Sequence, residues 1–412
     1  MWQSVYVVKA EGLTVGERVA WYRRRRGIPQ EVLAGLVGRT GDWLSKIENG
    51  RANLDRLSVI RLLADVLEVT VGELVGELQV PHKYANARSQ PIPLIREALL
   101  DYHQLSLASD SASEITPSQD GVRRSLNQAW DAYQESRYEI VIGALPALIK
   151  NVHSLTRAET VENRAKAHGY FALTYQLTAV LLTKLGEADL AWIAAERGFN
   201  AAQHTANPAV IGSLFRSIVH TLLSMERFTE AKKLTTKGAD YLQPELRSAS
   251  PQLLSAYGTL FLTGSVAAAR DDDRQTAKSY LSEAAESARR LGKDENYLWT
   301  AFGPTNVAIH RVTTAVDLGD IQVATDLAPH IDTSNLPIER RVRHVMEIAR
   351  AYSAWNQADA AMAALLDAEQ LAPEQVGRHA ISRQLVHTWI RREKGKPSFR
   401  LADLADRIHA LG

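Results

Sequence analysis

Apolar side chains recur every three or four positions along most of the chain and almost nowhere in alternation, which predicts helices from end to end. One exception is Val5-Tyr6-Val7-Val8, which reads as a small strand or an ordered arm within residues 1–13. Over residues 14–77 the apolar runs are short and punctuated by Gly27, Gly38 and Gly50, a pattern that predicts a compact bundle of about five helices. Thr14-Val15-Gly16-Glu17 and Thr70-Val71-Gly72-Glu73 both carry the Thr-x-x-Glu spacing of a capping box, in which hydroxyl and carboxylate satisfy each other's backbone donors. Pro81, Pro91, Pro93 and the serine-rich Ser106 to Ser113 mark a linker over residues 78–115, with Leu94 to Leu105 as a possible docking helix.

Residues 116–412 show one long helical pattern after another, beginning with Thr116-Pro117-Ser118-Gln119, read as a capping box with proline at the first helical position. Pairs of helices are expected to start near Thr116, Ala158, Asn207, Ser248, Asp294, Pro337 and Pro373, about 43 residues apart. The second helix of each pair repeats itself in outline: Leu185-Gly186-Glu187-Ala188, Phe228-Thr229-Glu230-Ala231, Leu318-Gly319-Asp320 through Ala324, and Ala361 through Ala368. Small alanines at these places let neighbouring helices approach closely, as a stacked solenoid requires.

Composition adds bounds. The 412 residues are 45% hydrophobic and 23% charged, which fits a globular chain of two or three units. Forty-eight basic and forty-seven acidic side chains nearly cancel, so any basic surface must be local. It is: from Thr14 to Arg51 eight basic residues face four acidic ones, with Arg23 to Arg26 in one run. The absence of cysteine excludes disulfides, thiol nucleophiles and sulfur-ligated zinc. With no signal-peptide or membrane-span pattern, a cytoplasmic location is expected.

Chemistry is otherwise sparse. The twelve histidines show no His-x-x-x-His or His-Glu-x-x-His spacing, and Asp271-Asp272-Asp273 lacks the glycine and closing Glu of a calcium loop. Gly395-Lys396-Pro397-Ser398 lacks the upstream glycine of a phosphate loop, and no Gly-x-Ser-x-Gly elbow occurs. Neither enzymatic activity nor a cofactor or metal is expected.

The stretch "QEVLAGLVGRTGDWLSKIENGR" carries Gln-x-x-Leu-Ala and Ile-Glu-Asn-Gly-Arg at a spacing that resembles the XRE, or lambda-repressor-like, helix-turn-helix family, over about Thr14 to Gly76. By that resemblance, Gln30 to Val37 crosses the DNA backbone and Thr40 to Asn49 is the recognition helix in the major groove. The i, i+3 spacing of Leu44 and Ile47 turns both inward, and the short helix before them carries apolar Val32, Leu33, Leu36 and Val37 and ends at a glycine. Gly41, Asp42, Trp43 and Lys46 would meet base edges, while Gln30, Arg39, Asn49 and Arg51 would hold phosphates and set register; Thr40, the cap of the recognition helix, completes the DNA-binding set. Pro29 stands where that family has a capping Ser or Thr, and Gly41 removes a side chain from a reading position.

The second half resembles tetratricopeptide repeats with longer helices, so the fold class is all-α: a small five-helix lambda-repressor-like domain over 14–77, then a right-handed tetratricopeptide-like α-solenoid over 116–412. With "FGPTNVAIHRVTTAVDLGD" at Phe302 to Asp320 as its most similar part, nearly the whole chain resembles the RRNPP type of bacterial peptide-sensing regulator and, more closely, actinobacterial XRE regulators with such a C-terminal half. The resemblance implies a transcription regulator that acts as a homodimer on double-stranded DNA, on an operator with two-fold symmetry. It also implies a solenoid that senses a peptide or small-molecule effector and mediates dimerisation. Groove-lining candidates are Tyr175, Gln176, Arg216, His220, Tyr257, Asn306, His310, Arg343 and Glu347. A second reading makes the protein an interaction scaffold whose helix-turn-helix docks protein rather than DNA; Asp42 and Gly41 at reading positions and the near-neutral overall charge favour it.

Overall fold

The computed structural model describes residues 14–52, 54, 57–67, 69, 71, 74, 91–100, 117–156, 161–393 and 397–408. The expected arm, most of the Thr70–Glu73 capping box and most of the expected linker lie outside them. Every regular element among the described residues is helical, with one isolated bridge between Glu295 and Phe302. The chain divides into two compact units, one ending at Ser89 and one starting at Gln90.

In the first unit, α1 is Val15–Arg25, α2 Gln30–Leu36, α3 Gly41–Glu48 and α4 Leu57–Val66. The Thr14 capping box is formed, with the Thr14 amide donating to Glu17 Oε2 at 2.7 Å and the Glu17 amide to Thr14 Oγ1 at 3.2 Å. Val19, Leu33, Ala34, Leu44, Leu63, Leu67 and Leu74 share one core. Gly16 is a place where only hydrogen fits: a Cβ there would sit 2.0 Å from the Ile47 carbonyl oxygen, so α1 lies directly on the backbone of α3. Gly38, at φ +66°, ends α2 in the left-handed conformation and lets the chain turn into α3. Of the apolar residues around α2, Leu33, Ala34 and Val37 occupy the core, whereas Val32 and Leu36 are 49% and 59% exposed.

The second unit opens with α5, Pro91–Leu100, whose Ile95 and Leu99 are buried in the same core cluster as the helices that follow. Next come α6 Gln119–Gln134, α7 Tyr138–Leu155, α8 Val161–Leu185, α9 Ala188–Gln203, α10 Pro208–Ser224, α11 Phe228–Leu242, α12 Pro251–Arg270 and α13 Arg274–Leu291. Then follow α14 Pro304–Asp317, α15 Ile321–Leu327, α16 Ile338–Ala354, α17 Ala358–Leu371, α18 Pro373–Arg378, α19 Ala380–Arg392 and α20 Phe399–Arg407. Successive helices pack in pairs and first helices pack on first helices (α6 on α8, α8 on α10, α14 on α16), which is the order of a helical solenoid. Small residues set the spacing: a Cβ on Gly258 would fall 1.9 Å from the Phe302 ring.

Two expected starts are displaced. Helix α6 begins at Gln119, with Ser118 rather than Thr116 as its cap, accepting from the Gly121 amide at 3.1 Å. The pair expected near Asp294 begins at Pro304, because Asp294 is spent tying down the incoming loop: the Thr305 amide and hydroxyl donate to its carboxylate at 3.0 and 2.6 Å.

The solenoid also meets itself. Gln134, at the end of α6, donates to Asn296 Oδ1 at 3.0 Å and to the Trp299 carbonyl at 3.2 Å. The Ser136 hydroxyl donates to Gln375 Oε1 at 2.6 Å, the Glu139 amide to Glu374 Oε2 at 3.0 Å, and Arg378 pairs with Glu139. Residues of α6, α7 and the turn between them thus bond to α18 and to the loop before α14.

Candidate functional site

Helix α3 is built as a two-faced element. Thr40 caps it, its hydroxyl accepting from the Trp43 amide at 3.2 Å. Leu44 and Ile47 are fully buried while Asp42, Lys46 and Asn49 stand exposed, as 3.6-residue periodicity requires. Arg39 and Arg51, at its two ends, are exposed as well. Two of the reading candidates are engaged with neighbours. Asp42 and Lys46 form an i, i+4 ion pair of 2.6 Å, and Trp43 is half-buried against the core with the Arg39 guanidinium 5.8 Å from its ring centre. A Cβ on Gly41 would lie 3.1 Å from Glu31 Cγ, so this glycine lets the start of α3 approach α2.

Gln30, expected to hold a phosphate, is tied to its neighbours within the bundle. Its amide donates to Glu48 Oε2 at 2.8 Å, and the buried Glu48 carboxylate also accepts from Arg23 Nε at 2.6 Å and Nη2 at 2.7 Å. The Arg23 guanidinium is pushed up by this bond to Glu48, burial opposing it. One carboxylate therefore joins α1, α2 and α3 in a forked, charge-assisted network. Pro29 stands before α2 with no side-chain cap.

The nine groove candidates separate into groups. Arg216, His220, His310 and Arg343 act on one another electrostatically and share the interior of the solenoid. Gln176 and Asn306 do not face open space: both are 0% exposed. Gln176 exchanges bonds with the Ser213 hydroxyl and carbonyl, and Asn306 donates to the Thr300 and Ala301 carbonyls at 3.4 and 3.0 Å. Tyr175 and Tyr257 also lie elsewhere. The Tyr175 hydroxyl meets His153 Nε2 at 2.8 Å, its ring stacks on Phe171, and Tyr257 packs with Phe261 in an apolar cluster. Glu347 is fully buried between Arg343 at 2.8 Å and Arg350 at 3.0 Å. Long polar side chains on a first helix can point toward the groove or toward its partner helix, and spacing alone does not separate the two.

Four interior residues were not among the candidates: Tyr133, Lys184, Glu339 and Arg340. Lys184 and Glu339 form a buried ion pair. Burial alone would raise Glu339, but Lys184, then Arg340 and Arg343, bring it down to about 2, so it is held ionised. His310 is pushed down to about 3 by burial and by Arg340, and His220 falls well below its ordinary value by burial beside Arg216 and Lys184. His310 Nδ1, 2.9 Å from the Asn306 carbonyl, is the donor in that contact. The sequence signal for these residues was Arg340 and Arg343 at i, i+3, and a lysine set among leucines at the end of a long apolar helix.

Residues 14–78 match the model of a helix-turn-helix domain, and the chain carries that domain at its N terminus. No curated protein matches the chain. Among solved structures, PlcR from Bacillus thuringiensis, in complex with the peptide PapR7 and DNA, is similar: 12% identical over 68% of this chain and 95% of that one, with a TM-score of 0.28. Among the described residues there is no helix long and apolar enough to cross a membrane, and no cluster of side chains able to hold a metal ion.

Proposed function

We propose that this protein is a sequence-specific DNA-binding regulator of transcription, dimeric on a two-fold site, whose solenoid responds to a ligand. The observation that carries the reading is the division of α3. Its apolar residues Leu44 and Ile47 are consumed by the core, leaving Asp42, Lys46 and Asn49 with Arg39 and Arg51 on a capped, exposed helix. Lys46 can donate to guanine O6 or N7 and Asp42 can accept from cytosine N4, while Arg39, Asn49 and Arg51 suit phosphates. A single helix-turn-helix contacts one half-site, so two copies on a palindrome are the geometric expectation.

Selection of bound fragments from random DNA by the full-length protein tests this directly. Enrichment of an inverted repeat, with affinity falling steeply as salt rises, is the expected result, because displaced counterions report phosphate contacts. Recovery of no sequence, with salt-independent binding, would favour the scaffold reading.

A further inference from the structure

The solenoid interior holds more positive charge than its own acids can balance. Lys184, Arg216, Arg340 and Arg343 act on the same group of side chains, drawn from α8, α10 and α16. Lys184 is matched by Glu339, and Arg343 by Glu347 and by His379 Nε2 at 2.5 Å. That leaves two guanidiniums. Arg340 comes no closer than 3.9 Å to Glu339, whose carboxylate is already bound to Lys184. Arg216 has no acceptor among the described residues, and the Nε atoms of both arginines are buried without a hydrogen-bond partner. Neither side chain is sealed off: both keep part of their surface exposed.

The neighbours show the sign of the field. The Arg216 guanidinium is lowered to about 10 by burial and by Arg340. His220, whose Nδ1 is likewise buried without a partner, stays neutral, as does His310. Tyr133, on α6, lies against the same arginines with its phenol held protonated by burial. A confined cationic site of this kind is unfavourable when empty and strongly attractive to an anion. Arginine forks match carboxylate and phosphate oxygens in pairs, and neutral imidazole and phenol N–H and O–H groups can add further donors.

We propose that Arg216 and Arg340, with His220 and Tyr133 beside them, bind the carboxylate or phosphate group of a small organic ligand inside the solenoid. This rests on the ligand-responsive half of the reading above. It is tested without DNA, so it can fail while DNA binding stands.

The experiment is thermal unfolding of the full-length protein at constant ionic strength, with chloride replaced by inorganic phosphate in one arm and by succinate in another. The wild type should gain about 2 °C or more in at least one arm, and the larger gain tells phosphate from carboxylate as the preferred group. Arg216→Met should melt higher than wild type in chloride, because a cation without an acceptor has been removed, and Arg216→Met and Arg340→Met should each lose the anion-dependent gain. Arg340→Lys should keep part of it. Arg123→Met, at an exposed ion pair with Asp120, should keep all of it. The proposal is overturned if the wild type gains in neither arm or if the gain survives in both methionine variants. It is overturned equally if Arg216→Met melts lower than wild type in chloride, which would assign that guanidinium to the fold.

Discussion

Lys184, in the last turn of α8, is paired with Glu339, at the start of α16, across 155 residues of sequence. Both side chains are almost wholly buried, at 11% and 8% exposure. The pair is asymmetric in its surroundings: Glu339 is the acid facing Arg340 and Arg343 as well as Lys184.

Breaking the pair should therefore be unequal. Glu339→Gln strands Lys184 among arginines and should lower stability by roughly 3–5 kcal/mol, the range for removing one partner of a buried pair. Lys184→Met leaves Glu339 with Arg340 and Arg343 beside it and should be milder. Urea unfolding of the two variants decides the matter, and equal losses would contradict this account of the interior.

Glu48 should behave as a structural hub. Glu48→Gln loses one charge from a fork that joins three helices and should destabilise the helix-turn-helix by about 2–4 kcal/mol. Gln30→Ala should also lower the melting temperature of that unit while changing DNA affinity little. A loss of affinity equal on all sequences, beyond what the lost stability explains, would place Gln30 among the phosphate contacts.

On the exposed face of α3 the outcomes should split. Lys46→Ala should weaken specific binding by about 1–3 kcal/mol and relax one base position, whereas Arg51→Ala should weaken all sequences alike. Asp42→Asn releases Lys46 from its ion pair and removes a negative charge facing the DNA, so it should raise affinity for unrelated sequences at low salt. Binding isotherms on matched and scrambled sites test all three.

Acid should loosen the solenoid. His310 is held at about 3 against an ordinary 6.5, so the unfolded chain binds the extra proton between those values. Stability from this group is therefore complete above about pH 6.5 and is lost as pH falls toward 3, by about 1.4 kcal/mol per pH unit at most. His310→Gln should flatten unfolding free energy against pH over that window, measured by denaturant titration.

Much of this was legible in the sequence, for identifiable reasons. The all-helical character followed from periodicity, and the α3 faces followed from Leu44 and Ile47 at i, i+3. The Thr14 box was readable because both partners lie within one turn. What could not be read were contacts between residues far apart along the chain. Gln30 finds Glu48 across 18 residues, and Gln176 finds Ser213 across 37, each taking up a side chain that looks available in isolation.

The bonds from Gln134 to Asn296 and from Ser136 to Gln375 span 162 and 239 residues. An open array of helix pairs contacts only its nearest neighbours and can fray from either end, one pair at a time. Here the opening helices are fastened to the closing ones, so losing the last pairs also exposes the first. Such a chain should melt in a single cooperative step despite its repeating architecture, and should fold slowly, since the fastening contacts form only after long loops have closed.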